Sequence, residues 1–196
     1  MDFFVDIDER MENFKKDIQT LNNQEVIEKY YQHNAPACLS HDTYFELRKL
    51  IQNHFGIAQF TDIFMVGSGQ LGFTIKPQER YRKFGDQSDI DLAIISDELF
   101  ENFWRAVYIY KNEGSYWPKE NDFKDYLFKG WIRPDYLPRS EAFRETEDWW
   151  EFFRQLTSSD RFGPYKIAGG LYFSRFFFES YQSLNIEACR RELIEV

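Results

Sequence analysis

At 196 residues the chain is long enough to bury one sizeable core, and with 43% hydrophobic and 19% aromatic residues, 21 of them Phe, it is not a disordered chain. A formal net charge of −9 excludes a protein that grips bulk duplex nucleic acid with its whole surface, because a phosphate backbone rewards Lys and Arg footprints and repels a net anion. A local basic patch for a small polyanion remains compatible with that charge.

The opening stretch MDFFVDIDERMENFKK is acidic and lacks the layout of a signal peptide. No apolar run approaches the roughly 20 residues of a spanning helix, so a cytoplasmic protein with no membrane partner is expected. Phe4, Ile7, Met11, Phe14, Ile18 and Leu21 recur three or four apart, the pattern of an amphipathic helix that packs on the core or meets a protein partner. A second short helix is expected from Gln24 to His33 and ends at Ala35-Pro36. A third follows, with Ser40 as N-cap, Leu47, Leu50, Ile51 and His54 on one face, and Gly56 as its stop. The spacing of His33, His41 and His54 matches no zinc pattern, and Cys38 and Cys189 stand far apart outside any CxxC, so reduced thiols and no histidine-bound metal are expected.

Ile63 to Val66 is a short apolar run bounded by Asp62 and Gly67, which predicts a buried strand. Gly67, Ser68, Gly69 and Gly72 break it, and Lys76, Arg80, Arg82 and Lys83 crowd the next stretch. A second strand is predicted from Asp89 to Ile95, with Asp89 and Asp91 on one face and Ile90, Leu92 and Ile94 on the other. Ser96 or Asp97 then caps a helix in which Leu99, Phe100, Phe103, Trp104, Val107 and Tyr108 repeat at helical spacing.

From Lys111 to Pro138 the pattern leaves room for one helix, Lys119 to Phe128. Trp117, Trp131 and Tyr136 either fill the core or line a base-stacking pocket. Ser140 is expected to cap a helix carrying Trp149, Phe152, Phe153 and Leu156 inward. Tyr165 to Phe173, with Gly169-Gly170 inside, reads as a strand with a bulge or a strand passing into a helix. A last helix, Ser174 to Leu193, is expected to place Phe173, Phe177, Tyr181 and Leu184 along the core. The expected architecture is α/β (α+β), a mixed sheet with flanking helices. It forms one domain over 1–196, with 1–56 a helical N-terminal flank and 140–196 a helical C-terminal region.

Two carboxylates two residues apart on one strand face repel unless a cation lies between them, and hard Mg²⁺ prefers carboxylate oxygens together with substrate phosphates. Gly67-Ser68 supplies the complementary half: glycine lets backbone amides approach phosphate closely, and the Ser68 hydroxyl adds a hydrogen bond. Val66-Gly67-Ser68 followed by Ser88-Asp89-Ile90-Asp91-Leu92 resembles the signature of the DNA-polymerase-β-like nucleotidyltransferase superfamily, particularly its compact bacterial members. The likeness covers about a sixth of the chain.

The resemblance implies transfer of a nucleotidyl group from a nucleoside triphosphate (NTP) to an unidentified acceptor, with pyrophosphate leaving. It implies that Asp89 and Asp91 are catalytic and hold two Mg²⁺ ions, or Mn²⁺ in their place. Gly67, Ser68, Lys76, Arg82 and Lys83 would bind the NTP phosphates, with Arg80 as a further basic residue of that loop. Two departures stand out. The 20 residues between Ser68 and Asp89 make a longer loop than is usual in the family. No Asp or Glu stands in the later strand, where active members carry a third carboxylate, so Asp122, Asp125, Asp135 and Asp160 are its remaining candidates. The alternative reading is a catalytically degenerate binding module of the same fold, a nucleotide sensor or a component that works through a protein partner in bacterial defence.

Overall fold

A computed structural model describes residues 5–139 and 143–194. Four strands, β1 (Ile63–Val66), β2 (Ile90–Ile95), β3 (Trp131–Ile132) and β4 (Ile167–Tyr172), form one mixed sheet in the order β1-β2-β4-β3. β2 runs antiparallel to β1 and parallel to β4, while β3 closes the far edge antiparallel to β4. The registers that matter are Val66 opposite Asp91 and Asp91 opposite Ala168.

Helices cover both faces, which is why β2 reads as a continuous apolar run past Asp91 rather than an alternating one. On one face Ile63, Met65, Leu92, Ile94, Ile167 and Leu171 meet α3 (His41–Phe55), α5 (Asp97–Asn112) and α7 (Arg144–Ser158). On the other, Phe64, Ala93, Ile95 and Tyr172 meet α1 (Ile7–Thr20), α2 (Asn23–Ile27) and α8 (Arg175–Ile194). α4 (Gly67–Leu71) and α6 (Glu120–Phe128) complete the helices used below. This is a mixed α+β architecture. Among the described residues no helix is long and apolar enough to cross a membrane.

Local signals account for the helix ends. The Asp6 carboxylate accepts from the Glu9 amide at the start of α1, and Ser40 and Ser96 do the same for α3 and α5. Gly56 closes α3 with φ 66°, a left-handed value that favours glycine. α1 buries Ile7, Met11, Phe14 and Ile18 against the sheet-side core, whereas Phe4 lies outside the described residues. α2 is followed by a π-helical turn over Glu28–His33 that turns Tyr30 and Tyr31 inward.

Several expectations need correction. The inward face of α8 is Phe178, Gln182, Ile186 and Cys189, while Phe173 and Leu184 are exposed. Three aromatic residues in a row near its start, Phe176 to Phe178, gave several stripes of equal apolar weight, and packing on the sheet selected the one through Phe178. On α5, Phe100, Phe103 and Val107 are buried, but Trp104 and Tyr108 stay exposed because the helix offers only a narrow stripe to the sheet. Gly169-Gly170 makes no bulge: β4 pairs without a break from Ile167 to Tyr172. α7 opens at Arg144, and the expected cap Ser140 lies outside the described residues.

The long stretch after Gly72 is folded back rather than left as a solvated loop. Thr74 N–H donates to Arg82 O at 2.9 Å, Tyr81 N–H to Thr74 O at 2.7 Å and Phe84 N–H to Gly72 O at 2.8 Å. Phe73 and Phe84 anchor its base in the core. Its tip is fastened to α8, where Arg80 Nη1 lies 2.7 Å from Glu192 Oε2 and donates to Ala188 O at 3.3 Å.

Candidate functional site

β1 ends at Val66 and the chain turns at Gly67, whose φ is 62°, into the short helix α4. A side chain there would be strained by that φ, and its Cβ would stand 3.4 Å from Asp91 Oδ2. The turn therefore brings the Gly67-Ser68 backbone beside the aspartate because Val66 and Asp91 are register partners. A tight turn sets the approach to β2: Ser88 N–H donates to Gly85 O at 2.8 Å and Gly85 N–H to Ser88 Oγ at 3.1 Å.

Asp89 stands one residue before β2 and Asp91 one turn of the pleat further, half-buried. Burial and then the Asp89 charge push the Asp91 carboxyl above the usual carboxylate range, against the opposing pull of Lys76, Lys166 and Arg133. Lys166 is supplied by the approach to β4, where Ile90 N–H donates to Lys166 O at 2.8 Å. Its ammonium lies 3.8 Å from Asp89 Oδ2.

These groups line one cleft of about 890 Å³, within the size range of small-molecule sites. Gly67, Ser68, Lys76, Arg82, Asp89 and Asp91 all line it, as the sequence pattern expects. Arg82 also pairs with Glu79 at 2.9 Å. Lys83 is the correction: it does not line the cleft, because its ammonium is drawn to Asp8 at the start of α1, 2.7 Å away. Arg80 is likewise spent on α8.

The cleft also gathers residues that the sequence pattern did not single out: Arg133, Arg139, Arg154, Lys166 and Trp150. Arg133 follows a two-residue strand with no periodic signal, and Lys166 joins the aspartates only because β4 pairs with β2. Of the three aromatics considered for base stacking, Trp117 is a core residue whose indole donates to Tyr136 O at 2.9 Å. Trp131 does line the cleft, lying parallel to Tyr172 with ring centroids 5.2 Å apart.

The donor set decides what cation could sit here. Asp89 and Asp91 offer carboxylate oxygens suited to one hard divalent ion. Among the described residues no group of three His, Cys, Asp or Glu side chains gathers to hold a metal ion. Of Asp122, Asp125, Asp135 and Asp160, Asp135 alone lines the cleft, and both its oxygens are held by Arg133 at 3.1 and 2.8 Å. The residues present fit one ion and do not fit the expected pair. No protein-family model, curated protein or solved structure matches the chain.

Proposed function

We propose that the protein is a metal-dependent nucleotidyltransferase that moves a nucleotidyl group from an NTP to an acceptor hydroxyl or phosphate, with pyrophosphate leaving. The observation that carries this reading is the meeting of Asp89 and Asp91 with Gly67-Ser68 and a set of cations in one cleft of an otherwise acidic protein. Asp89 and Asp91 would hold one divalent cation, which supplies charge stabilisation at the reacting phosphate when bound. The Ser68 hydroxyl and the amides after Gly67 would bind the outer phosphates, and Lys76 and Arg82 would balance their charge. Arg133 and Lys166 lower the cost of bringing a polyanion next to two carboxylates. Trp131, on the cleft wall, would border a bound base.

The second reading, a nucleotide-binding module without turnover, is favoured by one specific observation: among the described residues, a lysine and no third acid stand beside the aspartates. Incubation with labelled NTPs and Mg²⁺ or Mn²⁺ separates the two. Label transfer with pyrophosphate release, lost in Asp89→Asn and in Asp91→Asn, supports the transferase. Metal-dependent binding without release selects the module, and no nucleotide binding under either metal removes both.

A further inference from the structure

The fold answers its own acid pair with its own ammonium. Lys166 precedes β4 by one residue as Asp89 precedes β2, and Ile90 and Ile167 are register partners, so the two side chains are brought together by strand pairing. Lys166 Nζ lies 3.8 Å from Asp89 Oδ2. Opposite Asp91 on the same strand stands Ala168, whose methyl offers no ligand atom. Two residues further is Gly170, where an added Cβ would meet the Trp131 indole nitrogen at 2.6 Å. Beside the aspartates, β4 and its approach thus present an ammonium, a methyl and a bare glycine covered by an indole.

A second divalent ion in this place would need carboxylate oxygens that the neighbouring strand lacks, and it would be repelled by the ammonium. Asp135, the other acid that lines the cleft among the described residues, is engaged by Arg133. We infer that Lys166 is the built-in second cation of this site, so that the site takes one divalent ion per chain and positions a triphosphate with an ammonium where a second ion would otherwise stand. This rests on the nucleotide reading above and narrows it. Lys166 acts through Asp89 and is a positioning residue. Its side chain is 68% exposed, so its replacement leaves the fold intact and its field on the aspartates is partly screened.

Equilibrium dialysis of the full chain against Mn²⁺ and α,β-methylene-ATP, a non-transferable analogue, counts what each chain retains. One Mn²⁺ and one analogue per chain are expected. Lys166→Met should tighten Mn²⁺ binding roughly three- to tenfold, the scale of one screened charge at this distance, and Lys166→Arg should leave it unchanged. Lys166→Met combined with Ala168→Asp should retain two Mn²⁺, with melting by circular dichroism as the check on folding. Two Mn²⁺ per native chain, or no change in Lys166→Met, overturns this inference and leaves the nucleotide reading standing. No metal-dependent retention of the analogue overturns both.

Discussion

Alanine at Gly169 tests whether aromatic rings lie directly against the strand beside the aspartates. β4 carries two consecutive glycines, and successive residues of a strand face opposite layers. A methyl at Gly169 would sit 2.5 and 2.9 Å from ring carbons of Phe153 and 3.0 Å from Trp149. Both rings are buried and both pack on Phe55, and Trp149 also meets Phe103 edge-on, so a retreat would disturb those contacts. Overpacking of this kind costs about 1–3 kcal/mol, and the lower chain entropy of unfolded alanine returns about 0.4–1 kcal/mol. The midpoints of those ranges leave about 1.3 kcal/mol, and at about 2–4 °C per kcal/mol for a chain of this size Gly169→Ala should melt roughly 3–5 °C below the native protein.

Gly170→Ala is the internal contrast. Its methyl would meet the indole nitrogen of Trp131, a half-buried ring that lines the cleft and packs against Tyr126, Tyr172 and Tyr181. Its overpacking cost should fall in the same range of about 1–3 kcal/mol, but here, unlike at Gly169, it should be accompanied by weaker nucleotide binding. Thermal melts followed by circular dichroism, with nucleotide titration of both variants, read the two effects separately. A Gly169→Ala protein that melts with or above the native one would refute the packing described for Phe153 and Trp149.

Three further outcomes follow from burial and charge. Asp91 has a raised folded value, so the folded chain keeps its proton longer than the unfolded chain does. Ionised Asp91 therefore costs stability at about pH 7, and the cost vanishes as pH falls through the folded value to below the ordinary carboxylate value. Asp91→Asn should melt higher than native near neutrality, with the gap closing on acidification; equal melting at every pH would contradict this. Asp17 is the reverse case. Burial works against its charge, but hydrogen bonds from Lys29 at 2.5 Å and the Tyr30 hydroxyl at 2.7 Å outweigh it and hold the carboxyl below the usual range. Its contribution is complete above the ordinary carboxylate value and is lost as pH falls through the lower folded value, so Asp17→Asn should flatten the acid limb of a stability-against-pH curve. Burial pushes the Cys38 thiol up to about 12 and raises Cys189 as well. A disulfide reagent at about pH 8 should label the native chain slowly and the unfolded chain at once, and fast native labelling would refute the burial.

The strands beside the site were legible because β1 and β2 are short apolar runs fenced by Asp62, Gly67 and Ser96, and because Ser40, Gly56 and Ser96 are chemically suited to end helices. Asp89, Asp91, Gly67 and Ser68 could be placed together from their order along the chain. Lys83 could not be separated from Lys76 and Arg82 by any local signal, since what removes it is Asp8 on α1, far away in sequence. Lys166 and Arg133 were hidden for the same reason: their membership depends on which strands pair, and residue periodicity carries no record of pairing. The glycines of β4 misled in an instructive way. Their small size serves aromatic rings packed across the sheet, a tertiary cause that reads locally as a broken strand.

The parallel pairing of β2 with β4 also sets a clock on synthesis. β1 and β2 leave the ribosome close together and can pair early, whereas β4 emerges only after α5, α6 and α7. Non-local parallel pairing of this kind is slow, and an unpaired edge is a template for association with other chains. A nascent chain halted before Lys166 is thus expected to expose one edge of β2, with its apolar residues, and to carry two aspartates without their lysine. Finishing translation, in this architecture, is what both hides the adhesive edge and balances the charge of the cleft.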